Sequence, residues 1–163
     1  MRSFLTLALI AFALFPGGRA SAVEDAGRAK VGKLEVTVYF ATNGDPAAAG
    51  ERAQEISAGI RDRLRSEDRL KFDHYRALGA ETQPIFRSYE NWAQPLKPSD
   101  EILIRFETRT LPTKDSVSLD LELWLARKKI LKTDATLRAG HPLYVLGPEW
   151  RGGRLIIAVA LAS

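Results

Sequence analysis

The chain of 163 residues has no cysteine, two histidines and one methionine, and these shortages remove whole classes of chemistry. Without cysteine there is no disulfide framework, no thiol nucleophile and no thiolate zinc site. Imidazole chemistry has only His74 and His141 to draw on. His74 follows Asp73 in "FDHYR", but neighbouring residues of a strand point to opposite faces, so Asp73 is badly placed to orient it. His141 precedes Pro142 at a turn. No His-x-His, His-Glu-x-x-His or alternating acidic calcium loop occurs, and no serine lies in a Gly-x-Ser-x-Gly elbow. Nothing in the sequence marks a catalytic, metal-ligating or cofactor-binding residue.

Charge of one sign is also lacking. The net charge is +4, yet acids and bases are interspersed, with no block of five or six like charges. A nucleic-acid binder concentrates its basic residues into a patch or stripe, so no nucleic-acid partner is expected. Long apolar runs are missing as well. The longest, Phe4 to Phe15, covers only about 18 Å of helix against a ~30 Å hydrocarbon core. It follows Arg2, is broken by Pro16-Gly17-Gly18, and leads to the small residues Ala20-Ser21-Ala22. That is the pattern of a secretory signal over residues 1–22, cut near Ala22, which implies an exported protein, periplasmic or secreted. Arg2 and Arg19 would leave with it, lowering the net charge by two.

What is present reads as one domain. Without residues 1–22, the remaining chain of about 140 residues buries some two thirds of its extended surface and needs no covalent staples. Residues 23–32 are small and polar, a flexible lead-in to a single α+β domain over 33–163. "KLEVTVYFAT" alternates, with Leu34, Val36, Val38 and Phe40 on one side, as a half-buried strand does. Asp45 as N-cap, Pro46 in the first turn, and Ala49, Ala53, Ile56, Ile60 and Leu64 at helical spacing predict one amphipathic helix of about five turns.

Period two then returns. "RLKFDHYRAL" and "TQPIFRSYE" read as short strands, the second weakened by Pro84, which suits an edge or a strand start. "EILIRFETRT", "SVSLDLELWLA", "ILKTDATL", "PLYVL" and "RLIIAVAL" complete the set. The closing run from Leu155 does not alternate, which marks a strand buried on both faces. The expected fold is one long helix on a mainly antiparallel sheet or sandwich of seven or eight strands, with a βα start.

Two features go beyond scaffolding. Asp120 and Glu122 lie at i, i+2 on the polar side of a strand, where a lone carboxylate pair is usually a solvated face. Trp124 shares that side, beside Arg127, Lys128 and Lys129. In "HPLYVLGPEWRGGRLIIAV", Gly147-Pro148 ends one strand and Gly152-Gly153 restarts the next, leaving Glu149, Trp150 and Arg151 at the tip. Trp and Arg are the residues that most often anchor interfaces, so Glu149, Trp150, Arg151 and Trp124 are the candidate binding residues. The competing reading makes each tryptophan a lid on the core.

The stretches "RLKFDHYRALGAETQPI", "PLKPSDEILIRF" and "AGHPLYVLGPEWRGGRLIIAV" together resemble a loose set of uncharacterised exported bacterial proteins. That resemblance implies export and a shared fold, and no site. The expected function is a non-enzymatic extracytoplasmic module that binds or assembles with another envelope or secreted protein. The alternative is a small exported hydrolase or carbohydrate-active protein using scattered carboxylates, which the 20 acids leave open.

Overall fold

Alternating apolar residues dominate the structure, a computed structural model that describes residues 24–162. The signal expected over 1–22 lies outside the described residues. Eight strands follow in order: β1 (Lys30–Thr42), β2 (His74–Phe86), β3 (Asn91–Ala93), β4 (Ile102–Thr108), β5 (Ser116–Leu125), β6 (Lys128–Arg138), β7 (Leu143–Trp150) and β8 (Gly153–Leu161). They form two four-stranded sheets, β2-β1-β8-β7 and β3-β4-β5-β6, in which every pairing is antiparallel. Among the described residues the one α-helix, α1, spans Ala58–Ser66.

The two sheets face one another across one apolar cluster. Leu34, Val36 and Val38 of β1 and Leu155, Ile157 and Val159 of β8 meet Ile102, Ile104 and Phe106 of β4 and Val117, Leu119, Leu121 and Leu123 of β5. The opposite side of the first sheet has its own cluster, in which Tyr39, Ala41, Ile156 and Ala158 pack with Ile56, Leu64 and Leu70. Strand β8 therefore buries both of its faces, as its unbroken apolar run indicates, and it lies between β1 and β7. Pro84 sits in the edge strand β2, where its missing N–H costs no ladder bond.

The five-turn helix is not formed. Asp45 does cap a turn, with its Oδ1 accepting from Ala47 N at 2.8 Å, but that turn is a short 3-10 segment, Pro46–Ala49. It stops at Gly50, whose φ of +92° leaves the helical region. Gln54 then exchanges both backbone hydrogen bonds with Ala77 of β2, at 2.9 and 2.8 Å. An edge strand offers unpaired backbone groups, and this segment takes them in place of helical ones. A new N-cap, Ser57, starts α1 by accepting from Ile60 N at 3.3 Å. Ala49, Ile56 and Leu64 are buried all the same, held by three different backbone conformations.

Two boundaries also move. The segments read as two short strands around residue 80 are one strand, β2, paired with β1 along its length. Where the sequence suggests a lead-in over 23–32, Asp25 caps a 3-10 turn at Ala26–Arg28 and accepts from Tyr89 Oη at 2.6 Å, and β1 begins at Lys30. Among the described residues no helix is long and apolar enough to cross a membrane.

Candidate binding surfaces

The four sequence-predicted residues fall in two places. Glu149, Trp150 and Arg151 lie at the β7–β8 hairpin of the first sheet, whereas Trp124 lies on the outward face of the second.

The hairpin differs from its expected shape. Gly147-Pro148 does not end a strand; it forms a bulge between Leu146 and Glu149, after which β7 resumes, with Glu149 opposite Arg154 and Trp150 opposite Gly153. The turn is only Arg151-Gly152, with φ of +47° and +77°, the left-handed pair of a tight two-residue hairpin. Trp150 is thus a strand residue, not a tip. It is half-buried against the inter-sheet cluster, and its ring meets Phe40 edge-on at 5.6 Å between centroids. Gly153 is required by that packing: a Cβ there would lie 2.5 Å from both Ala41 O and Phe40 Cε2. Arg151 and Glu149 remain exposed, the Arg151 guanidinium lying 4.4 Å from the Trp150 ring centre. Thr42 Oγ1 ties the turn back to β1 by donating to Gly152 O at 3.1 Å.

Trp124 belongs to a larger construction. On the outward side of β5 the register brings Asp120, Glu122 and Trp124 into line, and β4 and β6 bring cations beside them. Asp120 and Glu122 are each only 5% exposed, so the expected solvated face is corrected: basic side chains cover the carboxylates. Asp120 Oδ2 lies 3.2 Å from Lys132 Nζ, 3.4 Å from Arg109 Nη2 and 3.6 Å from Arg105 Nη1. Glu122 accepts from Lys129 Nζ at 3.2 Å and from Trp124 Nε1 at 3.0 Å. Burial pushes the Glu122 carboxyl up, but the hydrogen bonds of Lys129, Trp124 and Lys132 outweigh it and hold the group below the usual carboxylate range.

Arg105 extends the lattice. Its Nε bonds Glu90 at 2.5 Å and its Nη2 bonds Glu107 at 2.7 Å. Glu90 is likewise held low, chiefly by Arg105 and then by Trp92. The rings of Trp92 and Trp124 lie 5.9 Å apart at a 54° tilt, with Lys129 Nζ 5.4 Å from the Trp124 centre. Trp92, from β3, is 37% exposed and forms the apolar part of the face. Sequence reasoning missed Trp92, Arg105, Arg109 and Lys132. Each is unremarkable alone, and only the pairing of β3 with β4 and of β5 with β6 gathers them.

A smaller recess of about 170 Å³ on the outer side of the first sheet holds Tyr39, Tyr144, Glu35 and Arg63. Burial, then Tyr144, raises the Tyr39 phenol above its ordinary value. Among the described residues no cluster of three or more His, Asp or Glu side chains is placed to hold a metal ion. No family model, curated protein or solved structure matches the chain, so function rests on the geometry above.

Proposed function

We propose that the protein is an exported, non-enzymatic binding or assembly module, and that it meets another envelope or secreted protein through the outward face of its second sheet. The observation that carries this is the Trp92–Trp124 pair set beside an ordered lattice of ion pairs on a sheet face that neither hydrophobic cluster covers. A surface of Trp and Arg side chains already held in place loses little entropy on docking. The exposed rim mixes Lys129, Lys132 and Arg109 with Glu90, Glu107 and Asp134, which fits a protein of mixed charge better than a polyanion. Export rests on the signal-like residues 1–22.

Of the scattered carboxylates that the hydrolase alternative could draw on, Asp120 and Glu122 are the two buried ones among the described residues. A general acid at neutral pH needs a raised pKa, and Glu122 is held in the opposite direction by its three donors. The test is a photo-crosslinking residue placed at Trp92 in the native host, with the same residue at Leu111, 66% exposed, as control. A discrete adduct from position 92, absent at 111 and weakened by Trp124→Ala, is expected. Identical patterns from both positions would refute the surface. Turnover of ester, glycoside or peptide substrates that disappears in Glu122→Gln would overturn the non-enzymatic reading.

A further inference from the structure

Each four-stranded sheet ends in two edges, and an edge offers a row of backbone N–H and C=O groups to any further strand. Three of the four edges are blunted. Strand β3 is only three residues long. Strand β7 is interrupted by the bulge between Leu146 and Glu149, with Pro148 inside it. Strand β2 carries Pro84, shifts register opposite Val38 and Tyr39, and has Gln54 bonded to Ala77. Strand β6, Lys128–Arg138, is different: from Leu131 to Arg138 it pairs with β5 without a shift. Among the described residues no backbone-to-backbone hydrogen bond reaches residues 129–137 from outside that ladder. The strand has no proline, and its core side holds Leu131, Thr133, Ala135 and Leu137, without a charge. Lysines can guard an edge, but here Lys129 is engaged by Glu122, and Lys132 by Asp120 and Glu122.

The order of charges along this edge suits a second copy of itself. A twofold antiparallel pairing sets each residue opposite a fixed partner at equal distance from the centre. Centred on Lys132 or on Asp134, it would put like charges face to face, and centred on Ala135 it would set Lys132 against Arg138. Centred on Thr136 it would match Asp134 with Arg138, but only the end of the strand would be used. Centred on Thr133, the match holds over residues 130–136. Lys132 then meets Asp134 twice on the outward side, while on the core side Thr133 meets Thr133 and Leu131 meets Ala135. The exposed Ile130 falls opposite Thr136. Both charged side chains are exposed and keep capacity for the contact. Asp134 gives Oδ1 to Arg109 Nε at 3.1 Å, and its Oδ2 has no partner among the described residues. Lys132 has three N–H donors and two carboxylate neighbours.

We propose that the protein forms a twofold dimer in which β6 pairs antiparallel with β6 of a second copy, centred on Thr133. The two second sheets become one continuous sheet. The chain of ion pairs from Arg105 through Asp120, Arg109 and Asp134 then crosses the joint to Lys132 of the second copy. Pairing along a single edge buries little area beside the ~1,600 Å² of a standard interface, so the dimer belongs to the weak, concentration-dependent class. The joint leaves the Trp92–Trp124 pair uncovered and presents it twice on one side of the sheet, and it does not depend on the protein partner proposed for that face.

Sedimentation velocity of the protein purified from its native host should show a monomer–dimer equilibrium. Asp134→Lys should weaken it about tenfold, because two ion pairs become two repulsions. An equimolar mixture of Asp134→Lys with Lys132→Asp should recover dimer, since opposite charges meet again in the mixed pair, and a folding defect cannot produce that recovery. The chain has no cysteine, so a single introduced one reports on its own symmetry mate. Thr133→Cys places two thiols on facing residues, about 4.5–5.5 Å apart at Cβ, and a short bifunctional maleimide should join them. Thr136→Cys, whose two copies would stand about 20 Å apart along the strands, should not be joined. A dimer that Asp134→Lys leaves unchanged, or one joined at Thr136→Cys and not at Thr133→Cys, would overturn the proposal. So would a monomer at every concentration up to about 500 μM, which would leave the edge to a strand of another protein.

Discussion

Replacing Trp150 by alanine decides whether that residue is a lid on the core or a projecting contact. Its ring packs against the inter-sheet cluster and meets Phe40, itself fully buried, at 5.6 Å. A tryptophan buries roughly 150–250 Å², and at about 25 cal/mol/Å² full burial is worth some 4–6 kcal/mol. Trp150 retains part of its exposure, and water can enter a rim position after truncation, which removes about half of that. The edge-on contact adds about 0.5–1 kcal/mol. The expected loss is therefore about 2.5–4 kcal/mol, or roughly 8–13 °C in melting temperature for a domain of this size. Urea and thermal unfolding followed by circular dichroism would measure it, with Trp150→Phe as the control expected to lose less than half as much. A change below about 0.5 kcal/mol would refute the lid, because a projecting side chain costs nothing on removal.

Gly153→Ala should destabilise by about 2–3 kcal/mol in urea unfolding, since its Cβ would stand 2.5 Å from Ala41 O and force β8 away from β1. Ser57→Ala should cost about 1 kcal/mol, the value of an N-cap, and Ser57→Thr should recover most of it; a larger loss would mean that α1 holds more than its own first turn. Glu81 gives a pH dependence. Burial raises its carboxyl, but Lys97, Gln94 N and Gln83 together bring it below the ordinary carboxyl value of 4.5. Its folded pKa is thus the lower one, so the stability it contributes is complete above the unfolded pKa and is lost as pH falls through and below about 4.5. Chemical denaturation between pH 3 and 6 should show a shallower slope for Glu81→Gln than for the native chain.

Much of the architecture was legible because a half-buried strand has period two. Leu34 to Phe40, Ile102 to Phe106 and Val117 to Leu123 all point inward as their spacing requires. The double burial of β8 followed from its lack of alternation. The helix was over-read for an equally physical reason: Ala49, Ile56 and Leu64 have helical spacing, yet each is buried from a separate backbone conformation. A hydrophobic stripe records which residues are buried, and burial does not by itself fix φ and ψ. Gly50 was the available signal, a residue at φ +92° inside the supposed helix.

The two candidate surfaces were legible to different degrees. The turn-rich hairpin after Leu143 follows from local composition, and Glu149, Trp150 and Arg151 do line one cleft. The burial of Asp120 and Glu122 was misread because their cover comes from Arg105 on β4 and from Lys129 and Lys132 on β6. Alternation is a local property of an extended chain, so the order of residues already dictates which side chains face inward. Which charges are paired and which tryptophans meet depends instead on strand register, which joins residues far apart in the chain.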